Sequence, residues 1–200
     1  MTTSLFHGKA GLMSIGATPA AVTAKENIFA MLDVDGDGVI SRQEYLMRPE
    51  RAAAALGRDW NDPRVLAAIT AHERVYASMD ADGNAQVSYE EYARWAGADA
   101  FDDVCRQALG SLFDLADADA DGALSQDEFT ALRTALGNPA DNARRAFEAL
   151  DADGDGRIDR EEYLASIRTY VSGGTSAMAH ALHASDSRSG VASPPNGSAW

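Results

Sequence analysis

The chain has 200 residues, 46% of them apolar and 24% charged, enough for one large or two small folded domains and against wholesale disorder. Its 31 Asp and Glu against 17 Lys and Arg give a formal net charge of −14, which repels nucleic acid and anionic membranes and suits cations or basic partners. The single cysteine, Cys105, excludes an internal disulfide, and no stretch reaches the roughly 18 apolar residues of a membrane span.

In chain order, residues 1–22 read as a flexible leader. The run from Ala10 to Val22 is interrupted by Gly11, Ser14, Gly16, Thr18 and Pro19, which makes a poor signal-peptide core. A first helix is predicted from Thr23 to Leu32. A second starts near Ser41, is disturbed by Pro49 and resumes through Arg51 to Leu56. After a break, Asn61 or Asp62 caps a helix that begins with Pro63 and runs to about Met79. Further helices are expected at Tyr89 to Trp95, Ala100 to Ala116, Gln126 to Leu136, Asp141 to Leu150 and Arg160 to Val171. Residues 172–200 are rich in Ser, Gly, Ala and Pro and read as a mobile tail, with Ala177 to Ala184 a candidate short helix. His180 and His183 lack a partner cluster there, so a solvated pair is expected.

Between the helices the chain repeats itself. Four 12-residue segments run from Asp33 to Glu44, Asp80 to Glu91, Asp117 to Glu128 and Asp151 to Glu162. Phe29, Tyr76, Phe113 and Phe147 stand four residues before them; Tyr45, Tyr92, Phe129 and Tyr163 follow directly. Four residues is about one helical turn, so each unit carries an apolar anchor on its entering and its exiting helix, as core packing requires. Trp60 and Trp95 are expected to pack in the core or the connections, and Cys105 to be a small buried hydrophobe.

The segments match the donor spacing of a calcium loop. Calcium is a hard cation that takes roughly six to eight oxygens, supplied from the first, third, fifth, seventh (backbone carbonyl), ninth and twelfth positions, with glycine at the sharp sixth. The first segment offers Asp33, Asp35, Asp37, Val39, Ser41 and Glu44 around Gly38. The third offers Asp117, Asp119, Asp121, Ala123, Ser125 and Glu128 around Gly122. The fourth offers Asp151, Asp153, Asp155, Arg157, Asp159 and Glu162 around Gly156, and its extra carboxylate is expected to help magnesium compete. The second offers Asp80, Asp82, Asn84, Gln86, Ser88 and Glu91, but Ala85 replaces the glycine and Asn84 is neutral, so it is expected to be the weakest. Sixteen acids stand at these positions, which leaves 15 against 17 Lys and Arg. The negative surplus is therefore located where cations would sit.

These loops and their flanking aromatics resemble the EF-hand superfamily from about Thr23 to Val171. Within it the chain resembles the sarcoplasmic calcium-binding proteins and their bacterial calerythrin-like members, through the long first interval around Trp60, the short second-to-third connection and the weakened second loop. The resemblance implies an all-α fold: four EF-hand helix–loop–helix units in two pairs, a compact globule in which short β-bridges join loops one with two and three with four. The pairs would span residues 23–98 and 99–171. The retained ligands of the second loop and the long tail depart from that group.

The expected function is calcium binding, three or four ions, as a cytoplasmic, monomeric buffer or store. The alternative is a sensor that exposes an apolar groove to a target protein. Only Met31, Met47 and Met79 lie in the repeat region, and that scarcity favours the buffer. No nucleotide-binding Gly-rich loop, zinc-protease motif or Ser/His/Asp pattern suggests an enzyme. The Ala- and Arg-rich composition suggests a high-GC bacterial source.

Overall fold

The computed structural model of the protein describes residues 19–182. The chain runs through helices α1 (Pro19–Leu32), α2 (Arg42–Ala55), α3 (Pro63–Met79) and α4 (Tyr89–Trp95), then the short α5 (Ala98–Ala100). A π-helical turn, Phe101–Cys105, leads into α6 (Arg106–Ala116), followed by α7 (Gln126–Ala135), α8 (Ala140–Leu150), α9 (Arg160–Gly173) and α10 (Ala177–Leu182). Three-residue strands β1 (Val39–Ser41), β2 (Gln86–Ser88), β3 (Ala123–Ser125) and β4 (Arg157–Asp159) end the four loops.

The strands pair antiparallel, β1 with β2 and β3 with β4, placing Ile40 opposite Val87 and Leu124 opposite Ile158. All four side chains are fully buried. The helices thus stand in two loop-paired sets, as the resemblance implied, with a short bridge in each.

The predicted aromatic anchors are all buried, and they pack crosswise. The entering Phe29 meets the exiting Tyr92 at 5.7 Å between ring centroids, and the exiting Tyr45 meets the entering Tyr76 at 6.1 Å. The second set repeats this, Phe113 with Tyr163 at 5.8 Å and Phe129 with Phe147 at 5.9 Å. Each unit's entering helix is therefore clamped by its partner's exiting helix, which is why neither unit of a pair could bury its apolar face alone. The two sets also interlock. Ala52, Ala53, Val65 and Ala68 from α2 and α3 belong to the core of the second set, and Ala108 of α6 belongs to that of the first.

Several expectations are corrected. Pro49 lies inside an unbroken α2; it removes one amide donor without ending the helix, and it is buried. Trp60 is not packed: it lies 53% exposed in the turn before α3. Asp62, not Asn61, caps α3, accepting from Arg64 N–H at 2.8 Å ahead of Pro63. α1 begins at Pro19, ahead of the expected Thr23.

The segment after Val171 is not all tail. α10 buries Met178 and Leu182 in the second core, and Asn142 Nδ2 donates to the Leu182 carbonyl at 2.9 Å. The candidate short helix at Ala177 to Ala184 is present as α10, Ala177–Leu182; its packing against the second core is what the composition did not indicate. The chain reaches it through Gly174, whose φ is +78°; a Cβ there would come within 2.2 Å of Ala20 backbone atoms. Only glycine lets the end of α9 approach α1 so closely. Residues 1–18 and 183–200 lie outside the described residues, so the leader's first part, most of the tail and His183 are not compared; His180 is exposed.

Candidate metal centres

Each loop turns back to the start of its exiting helix, and the same side chains do two tasks. Ser41, Ser88, Ser125 and Asp159 are the N-caps of α2, α4, α7 and α9, each in a reciprocal capping box with Glu44, Glu91, Glu128 and Glu162. The N-cap amides donate to the glutamates' Oε2 at 2.8–2.9 Å. The spacing of the ninth and twelfth loop positions is thus also the spacing of a helix start, so the cap fixes one oxygen of the closing glutamate.

In three loops its other oxygen reaches across the loop. Glu44 Oε1 accepts from Val34 N–H at 2.9 Å, Glu91 from Ala81 at 3.3 Å and Glu128 from Ala118 at 2.8 Å. Carboxylate oxygens gather accordingly, within 4.8 Å of one another: Asp33, Asp35 and Glu44; Asp80, Asp82 and Glu91; Asp117, Asp119 and Glu128. The fourth cluster is Asp151, Asp153 and Asp155 and leaves out Glu162.

Burial alone would raise the Glu44 and Glu128 carboxyls, but hydrogen bonds from their caps and loop amides outweigh it and hold both below the ordinary value. Glu91 is held low chiefly by the Ser88 amide and hydroxyl. All three are thereby kept as anions, the state a cation needs.

The loop backbone is pinned from within. The sixth-position amide donates to the first-position carboxylate in every loop: Gly38 to Asp33, Ala85 to Asp80 and Gly122 to Asp117 at 3.0 Å, Gly156 to Asp151 at 3.1 Å. The seventh-position amide donates to the fifth-position side chain at 2.7–3.0 Å throughout. Ala85 follows the glycines, with φ +63° against +90°, +88° and +80° at Gly38, Gly122 and Gly156.

Two features were missed by sequence reasoning. The fourth position also takes positive φ in every loop, and the third loop places Ala120 there at +60°, where the others have Gly36, Gly83 and Gly154. The glycine pattern of the other loops was the available signal. Arg157 of the fourth loop forms an ion pair with Asp121 of the third. Residues from different loops meet there only because β3 and β4 are paired.

A cation fits this arrangement on chemical grounds. The Oδ1 atoms of Asp33 and Asp151 are buried and have no hydrogen-bond partner. Such anionic oxygens are costly to desolvate unless a positive charge completes them. All clustered donors are hard oxygens, the set that calcium and magnesium prefer.

Comparison with known proteins agrees. A family model described as an EF-hand domain pair matches residues 106–168, and one described as an EF hand matches residues 25–47. The fold is similar to a Streptomyces coelicolor calcium-binding protein, described in the context of prokaryotic calcium-mediated regulation. That likeness has a TM-score of 0.67 and 26% identity over 78% of this chain and 99% of that one. It is also similar to the calcium-loaded apo form of coelenterazine-binding protein from Renilla muelleri (TM-score 0.59, 25% identity, 82% and 97% covered). An apoaequorin complex shares the fold at TM-score 0.70 and 20% identity, with 90% and 98% covered. No curated protein sequence matches the chain significantly. Among the described residues, no helix is long and apolar enough to cross a membrane.

Proposed function

Because this chain is a calcium-binding protein that carries EF-hand domains, we infer that it serves as a calcium buffer or store rather than as a switch. The observation that carries this is α10: Met178 and Leu182 lie in the core of the second set, so the chain covers that apolar face with its own residues. Among the described residues, the large apolar side chains most exposed are Val22, Met31, Val34, Trp60 and Leu66, spread over four separate segments rather than one helical groove.

Four ions are expected, held by the six donors of each loop from Asp33 to Glu44, Asp80 to Glu91, Asp117 to Glu128 and Asp151 to Glu162. The second site is the weakest, because Asn84 brings no charge. Magnesium competes most at the fourth, where Asp159 adds a fifth carboxylate. The lone thiol and the closed apolar faces suit a monomer in the cytoplasm.

A second reading is a calcium sensor that regulates a partner. The similarity to the Streptomyces coelicolor protein favours it. The test is a calorimetric calcium titration with and without magnesium, together with binding of a hydrophobic dye in calcium and in chelator. A buffer binds several ions with little change in dye signal. A several-fold calcium-dependent rise in dye binding overturns the buffer and supports the sensor.

A further inference from the structure

A cavity of about 160 Å³ lies where the two helix sets meet, and no proposed metal ligand lines it. Its wall draws on helices from both sets and is mainly apolar. Its polar edge consists chiefly of Tyr45, Arg48, His72, Tyr92 and Arg133. Among the described residues that line it there is no Asp or Glu.

Arg48 and Arg133 are part-buried, and neither forms an ion pair among the described residues. Among the described residues, Arg48's only side-chain hydrogen bond is a long one, 3.7 Å from Nη1 to Met31 Sδ. The Nε of Arg133 is buried and has no hydrogen-bond partner among the described residues. Burial lowers the Arg48 pKa, and the Arg133 charge lowers it further. His72 Nδ1 lies 2.8 Å from the Ala68 carbonyl, and burial takes its pKa down to about 4, so the ring is neutral. The positive charge of the cavity therefore rests on the guanidinium groups.

Part-buried cations without a counter-charge leave donors open to an anion, and a guanidinium fork is shaped to take a carboxylate through two parallel hydrogen bonds. The remaining wall favours hydrocarbon. We propose that this cavity binds an apolar monocarboxylate, its carboxylate held by Arg48 and Arg133 and its hydrocarbon part against the apolar wall. A cavity of similar volume takes up benzene, so the ligand is a single-ring or short-chain acid of about seven to ten carbons. Arg48 stands one turn beyond Glu44 on α2, so such an acid would bind next to the helix that closes the first loop.

The full chain is titrated with phenylacetate and with octanoate, and with 1-octanol as the uncharged control, in calcium and in chelator. Heat and the fluorescence of Trp95, which lines the cavity, are the readouts. Saturable one-to-one binding of either acid, in either state, about tenfold or more tighter than 1-octanol supports the proposal and tells the aromatic from the aliphatic class. Arg48→Gln and Arg133→Gln each weaken acid binding by about tenfold and leave 1-octanol within about twofold; Arg48→Lys retains part of the affinity. Absence of saturation with both acids by about 1 mM overturns the proposal, as does equal affinity for acid and alcohol. So does wild-type acid affinity in folded variants. If the variants do not fold, the preference for acid over alcohol in the unmodified chain decides.

Discussion

The backbone N–H of Ala85 donates to the Asp80 carboxylate at 3.0 Å, the same distance at which Gly38 donates to Asp33. The second loop therefore keeps the turn of the intact loops and bears the strain of an alanine at φ +63° to do so. Ala120, at φ +60°, bears the same strain in the third loop. Backbone strain accordingly does not single out the second loop; the missing charge at Asn84 does.

Ala85→Gly and Ala120→Gly should each stabilise the protein. Relief of a left-handed alanine is worth roughly 1–2 kcal/mol, less the chain entropy that glycine adds to the unfolded state, for a net gain of about 0.5–1 kcal/mol. Urea unfolding in saturating calcium reads this. An unchanged or lower midpoint for both variants would show that the turns carry no strain.

Gly174→Ala should do the opposite. The new Cβ would lie 2.2 Å from the Ala20 carbonyl, on a residue already at φ +78°. Steric displacement of α1 and the left-handed penalty together cost about 2 kcal/mol or more. The same urea experiment checks it, and a loss under about 0.5 kcal/mol would mean that α1 yields freely.

Arg157→Gln should strengthen calcium binding at the third loop by roughly twofold. The variant frees Asp121 from its ion pair and removes a positive charge beside the site. Both partners are part-exposed (43% and 36%), so the pair is worth only about 0.5 kcal/mol. Stepwise calcium titration is the measurement; weaker binding would show that Arg157 preorganises Asp121 rather than competing for it.

Metal-free stability should fall with acid below about pH 4.5. Glu44, Glu91 and Glu128 have folded pKa values below the ordinary 4.5. Their contribution is therefore complete above that value and is lost as pH falls through the folded pKa values. The double variant Ser41→Ala, Ser125→Ala removes two caps that hold these carboxylates. It should flatten the pH dependence and cost about 1 kcal/mol per cap at neutral pH. Unfolding midpoints in chelator across this range decide, and a parallel shift with unchanged slope would contradict the linkage.

Glu44→Gln and Glu128→Gln should each weaken calcium binding at their own loop by at least about tenfold, since the closing carboxylate supplies two of the ion's oxygens. Calorimetry should show the loss of one binding step per variant. A full complement of steps would mean that these glutamates serve only as caps.

The sequence by itself determined the units. Fixed oxygen spacing, the capping residue that doubles as the ninth donor, and aromatics a turn away are local requirements. Twelve consecutive residues such as Asp33 to Glu44 therefore display them without reference to the rest of the chain. Tertiary structure alone decided what non-neighbours do to one another. Trp60 could not be known to face solvent, nor Met178 and Leu182 to enter the second core, because burial depends on which distant surface arrives. The crossed pairing of Phe29 with Tyr92, the Arg157–Asp121 contact and the meeting of Arg48 with Arg133 across an apolar cavity arise only when separate helices dock. Local spacing specifies a loop; it does not specify the field or the shape that the other loops and helices impose on it.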